Sequence, residues 1–92
     1  MIWHKDVTDE QTGLVVSYWT ELELQYDMLR GLVFLRVGGF ASLQAIADKK
    51  QPVLRREYLI PEGTNPELGQ AGRAFLNQYA RSQPEFVGSE TV

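Results

Sequence analysis

The 92-residue chain contains no cysteine and a single histidine, His4. Without thiols it can form no disulfide, run no thiolate chemistry and hold no cysteine-ligated zinc. His4 has no second metal ligand at a recognisable spacing, so it reads as a surface histidine. The longest uninterrupted apolar run is Leu32 to Leu35, far short of the roughly 20 residues that span a bilayer. The opening "MIWHKDVTDE" lacks the apolar centre of a signal peptide. A soluble chain made in the cytoplasm, with no membrane insertion, is expected. No glycine-rich loop has phosphate-binding spacing, and "VGGFAS" does not supply it. No serine occupies a nucleophile elbow. Glu21 and Glu23 are two apart on a strand pattern and point the same way. Such a pair can do acid–base work or bind a cation, but it is also the ordinary solvated face of a sheet. The chain therefore carries no enzyme signature. Catalytic residues, metal ligands, a cofactor and a small-molecule substrate are all expected to be absent.

What is present is an ordinary globular composition, 43% hydrophobic and 23% charged, which suits one folded domain of modest core. The net charge is −3, and it is unevenly laid out. Residues 1–27 hold six acids and one base, residues 28–60 six bases and two acids, and residues 61–92 four acids and two bases. An acidic first third and a basic middle third can pair within one sheet or between copies of the chain.

Periodicity sets the expected elements. "TGLVVSYWTELELQYDM" (12–28) alternates, with Leu14, Val16, Tyr18, Leu22, Leu24, Tyr26 and Met28 on one parity, and reads as a long half-buried antiparallel strand. Val15 and Trp19 interrupt its polar face. "IWHKDV" (2–7) suits a short opening strand. "GLVFLRVGG" (31–39) is apolar on both faces and suits a central strand, joined to the first by a hairpin over Met28–Gly31. Gly38–Gly39 is expected to end or kink it. "SLQAIADKK" (42–50) reads as two helical turns capped by Ser42, closed by Pro52. "VLRREYLI" (53–60) is a further strand. After the loop "PEGTNP", Asn65 and Pro66 are start signals for a helix over 66–82. Its stripe is Leu68, Ala71, Phe75, Leu76 and Tyr79, and Gly69 and Gly72 weaken it. Pro84 ends it. The expected fold is α+β: a small antiparallel sheet of three to four strands, a short helix between strands, and one long C-terminal helix on one face. Residues 1–84 form one domain and 85–92 a tail with Phe86 as its aromatic anchor.

The segment "ADKKQPVLRREYL" carries Lys49, Lys50, Arg55 and Arg56. Nucleic-acid binding would want its bases on one face with interleaved aromatics. Lys49 and Lys50 end a helix, where cations complement its dipole, and adjacent Arg55 and Arg56 point to opposite faces of a strand. Nucleic acid is therefore not the expected partner, and ion pairing with the acidic strand or a neighbouring subunit is. Trp19, on an otherwise polar face, reads either as an exposed interface anchor or as a side chain covered by the N-terminal segment. Candidate interface residues are thus Trp19, Glu21, Glu23, Lys49, Lys50, Arg55, Arg56 and Phe86.

The second half resembles a loose group of small virion-structural proteins of tailed bacteriophages. The resemblance covers residues 31–92. It runs through "LRVGGFAS", "AIADKKQPV", "LRREYLIP", "AFLNQYARSQ" and the closing "PEFVGSETV", where that group reads Pro-Glu-Phe before small and acidic residues. It implies a non-catalytic tail, baseplate or neck subunit located in the virion, working by assembly with copies of itself and other virion proteins. No site residues carry over. The alternatives are a small phage- or bacterium-encoded regulatory module acting on a host protein, and a small α+β enzyme with its site in the sheet–helix crevice.

Overall fold

The computed structural model describes residues 2–60 and 70–92, with the side chains of 70–73 left aside. Five strands form one antiparallel sheet: β1 (Ile2–Thr8), β2 (Val15–Asp27), β3 (Leu32–Phe40), β4 (Leu54–Leu59) and β5 (Glu90–Thr91), in the spatial order β4-β3-β2-β1-β5. A short helix α1 (Leu43–Ala47) lies between β3 and β4, and α2 (Gln70–Arg81) precedes a single 3-10 turn, Pro84–Phe86. Ser42 caps α1, its hydroxyl oxygen accepting from the Ala45 N–H at 3.1 Å.

The α+β expectation is therefore corrected. The described chain is mostly β, with five strands and two short helices, and α2 is a 12-residue element at the C-terminal end and not a long helix covering the sheet. The cause lies at the chain ends. The opening segment extends through Thr8 as a full strand, and Glu90–Thr91 pairs with Trp3 and His4. A two-residue strand has no period to read. The expected tail, 85–92, is likewise part of the fold: Phe86 is fully buried, and Lys5 donates through Nζ to the Val87 carbonyl at 2.9 Å. The helix starts proposed at Asn65 and Pro66, the loop before them, Leu68 and the side chain of Ala71 lie outside the described residues. Helix α1 ends at Ala47 with Asp48 as its cap, so Lys49 and Lys50 fall in the turn beyond it.

One face of the sheet carries the core. Trp3, Val16, Trp19, Leu35 and Val37 are buried with Ile60, with Leu76 and Ala80 of α2, and with Phe86. Directly paired residues share a face. The rows Trp3–Trp19–Gly39–Leu54, Glu21–Val37–Arg56 and Leu24–Leu35–Tyr58 therefore lie on the core side.

Strict alternation in β2 fails for a stated reason. The register to β3 shifts between Glu21 and Glu23, leaving Leu22 as an extra residue. A bulge of this kind moves every later side chain to the other face. Odd positions (Trp19, Glu21) meet the core side before it and even positions (Leu24, Tyr26) after it. A second irregularity, in β1 between His4 and Val7, adds twist where Val16 and Trp19 both reach the core. Leu14, expected inside, is consequently exposed, and Met28 is almost wholly so.

Gly38 and Gly39 do not end β3, which runs on to Phe40. Gly39 lies beneath Trp19: a Cβ there would stand 2.8 Å from two ring carbons of Trp19 and 2.5 Å from Val16 Cγ1. At Gly38 the nearest atoms belong to the end of the flexible Leu22 side chain, at 2.9 Å. Gly39→Ala is expected to lower the unfolding free energy by about 2 kcal/mol through overpacking, and Gly38→Ala by clearly less. Urea denaturation followed by tryptophan fluorescence checks this; equal costs for the two variants would remove the account of Trp19 over Gly39.

Candidate functional site

The face of the sheet opposite the core is open and is organised by charge. Glu23, Arg36 and Glu57 stand side by side on β2, β3 and β4. Arg36 Nη1 donates to Glu23 at 3.0 Å and Arg36 Nε to Glu57 at 3.2 Å. The acidic strand and the basic middle third thus pair inside one chain. All three side chains are well exposed, so the row contributes little stability, but it fixes a register with two acids for one base.

The remaining candidates do not gather into one site. Trp19 is fully buried, with its indole N–H donating to the Lys5 carbonyl at 2.9 Å. The covering N-terminal segment is β1, and Trp19 is corrected from a possible interface anchor to a core residue. Phe86 is corrected in the same way. It receives Trp3, Trp19 and Tyr58 edge-on, with centroids 5.4, 4.8 and 6.4 Å away. Glu21 lies on the core side by register and is separated from Glu23 by the bulge, yet both line the cleft beside the hairpin. Lys49 and Lys50 are exposed on the turn after α1, with Lys49 at φ 54. Arg55, opposite Gly38, faces the open side, and its Nη2 donates to Gln51 at 2.7 Å. Arg56, opposite Val37, faces the core side. His4 meets Tyr18 edge-on at 5.2 Å and has Asp6 at 3.4 Å.

Arg56 leads to a cluster that sequence reading missed. Its Nε donates to Glu85 at 3.3 Å, and the Tyr58 hydroxyl donates to the other oxygen of the same carboxylate. Glu85 belongs to the 3-10 turn, so this cluster fastens the C-terminal segment beside Phe86. Burial is the main cause that pushes the Tyr58 phenol well above its ordinary value, and the Glu85 carboxylate adds to it. The available signal was small: an acid directly after Pro84, where a turn can start, and a Tyr two residues beyond Arg56. Both oxygens of its carboxylate are held by donors within the chain.

Among the described residues the most exposed large apolar side chains are Met28 and Leu29, 88% and 94% exposed, adjacent at the tip of the β2–β3 hairpin. The turn is closed by other residues. Gly31 donates its N–H to the Asp27 carbonyl at 2.8 Å and adopts φ 68, which glycine tolerates. The Arg30 N–H donates to Asp27 Oδ1 at 3.1 Å. Met28 and Leu29 have no part in that bonding. Beside the hairpin lies a cleft of about 280 Å³, walled by Leu22, Leu24, Tyr26, Leu35 and Leu76 together with the two acids Glu21 and Glu23. It is the bulge that turns this stretch of β2 toward α2 and opens the cleft.

Among the described residues no helix is long and apolar enough to cross a membrane. No known protein family, characterised protein or solved structure matches the chain.

The Tyr58 shift has a definite consequence with pH. A phenol whose folded pKa is raised keeps its proton in the native state after the unfolded chain has begun to lose it. Stability is therefore unaffected by this group below about pH 10 and falls as pH rises beyond that value. Tyr58→Phe is expected to flatten this alkaline fall. In an absorbance titration, the phenolate signal of Tyr58, taken as wild type minus variant, appears only together with loss of the circular dichroism of the fold. A Tyr58 signal near pH 10 in a still-folded chain contradicts the assignment.

Proposed function

We propose that the chain is a non-catalytic structural subunit of a tailed-phage particle, in its tail, baseplate or neck. It acts through contacts with copies of itself and with other virion proteins. The observation that carries the reading is the hairpin tip. Two adjacent large apolar side chains are held in water on a turn whose hydrogen bonds do not involve them, and such exposed apolar anchors suit a protein interface. The phage-like outline over residues 31–92 supplies the particle as the setting. The polar groups that first suggest chemistry are spent elsewhere: Glu23 in the row with Arg36, and Arg56 in fastening Glu85.

Mass spectrometry of particles purified from the phage that encodes the chain should find it in fixed ratio to the other virion proteins. Particles that lack it, together with capture of one host protein by the purified chain, would replace this reading with that of a regulatory module.

A further inference from the structure

We infer that the Met28–Leu29 hairpin tip docks into the β2–α2 cleft of a second copy of the same chain. The inference rests on the assembly reading above and names the partner.

Three observations carry it. The turn is already closed in the single chain, where Asp27 accepts from the Gly31 and Arg30 N–H groups through its backbone and side-chain oxygens. A preorganised loop loses little freedom on docking. The cleft, at about 280 Å³, exceeds the roughly 150 Å³ that holds a benzene-sized group in an apolar cavity. It therefore has room for the Leu29 side chain, with the Met28 thioether filling an irregular remainder. Tip and cleft belong to the same hairpin, Leu24 and Tyr26 lying only a few residues before Met28. A strand cannot fold its own tip back onto its own side, so a tip that enters this cleft comes from another molecule.

Charge favours the same pairing. Arg30, with its side chain 74% exposed, has Asp27 at 3.7 Å as its ion-pair partner among the described residues. Glu21 and Glu23 line the cleft itself. Tip docking brings the Arg30 cation to these carboxylates, which orients the encounter more than it tightens it. Met28 and Leu29 supply the buried contact.

Sedimentation velocity of the purified full chain, from micromolar to millimolar concentration, tests this apart from the particle. The wild type is expected to associate reversibly. Met28→Ser combined with Leu29→Ser should weaken association at least tenfold, with unchanged circular dichroism and melting temperature, since both side chains are solvated in the single chain. Tyr26→Arg, which blocks the cleft with a charge, should do the same. A mixture of the tip variant and the cleft variant should form a one-to-one complex, because one chain keeps an intact cleft and the other an intact tip. A wild type that stays monomeric throughout, tip variants that associate like the wild type, or a mixture that does not combine each overturns the inference. So does a monomer that binds phosphatidylglycerol vesicles through Leu29, which assigns the tip to a lipid surface. Presence or absence of the chain in particles leaves these outcomes untouched, so the two readings fail separately.

Discussion

The fold depends on one close approach: the Trp19 ring lying over Gly39. Any side chain at Gly39 would occupy the space of the indole, with Val16 closing the other side. With the space empty, Trp19 lies flat enough across the sheet to meet Phe86 at 4.8 Å, and Phe86 in turn receives Trp3. These three are the largest fully buried side chains among the described residues, in a chain too small to hold a second core. The cluster also joins sequence-distant parts. Trp3 comes from the first strand, Trp19 from the second and Phe86 from the 3-10 turn near the end. This arrangement explains why the last residues are not a tail: the core is incomplete without them. It also has a cost, since the Trp3 indole N–H is buried with no partner among the described residues.

Charge acts around this core as a fastener. The Arg56–Glu85–Tyr58 cluster lies beside Phe86 and holds the turn that delivers it. Arg81 adds a second hold from α2, donating to the Ser89 hydroxyl at 2.9 Å, the Ser89 carbonyl at 2.8 Å and the Thr91 hydroxyl at 2.6 Å. The guanidinium groups thus tie the C-terminal segment to the sheet from two sides. On the open face, Arg36 does the equivalent between β2 and β4. Of the acidic first third, Glu23 and Asp27 meet bases of the middle third, Arg36 and Arg30, within the chain.

Strand positions were legible because period two is local. β2, β3 and β4 begin and end within a few residues of where alternation and turn residues place them. The Ser42 cap and the Met28–Gly31 turn were legible for the same reason. Facing was not. An extra residue such as Leu22 leaves the apolar–polar pattern looking intact while reversing which half of it meets the core. Hence Trp19 looked like an intruder on a polar face when it is the centre of the core. Met28 looked like the end of a buried stripe when it is in water. Phe86 and Glu85 were out of reach for a different reason: their partners, Trp3, Tyr58 and Arg56, lie far away in sequence. β5 was too short to show any pattern.

The bulge that misled the pattern is also what gives the hairpin its two surfaces. Had β2 continued without Leu22 as an extra residue, Leu24 and Tyr26 would face the open side with Glu57 and Arg36, and the cleft beside Leu76 would have lost that wall. With the bulge, the half of the hairpin near the core holds Trp19 in place, while the outer half turns a partly apolar flank toward α2 and carries Met28 and Leu29 beyond it. One inserted residue thereby separates a strand that stabilises the fold from a projection that stability does not require. Large apolar side chains on such a projection cost solubility and return nothing to the isolated chain. Met28 and Leu29 stand on a turn that Asp27 and Gly31 already close, so its hydrogen bonding gives them no part in the fold.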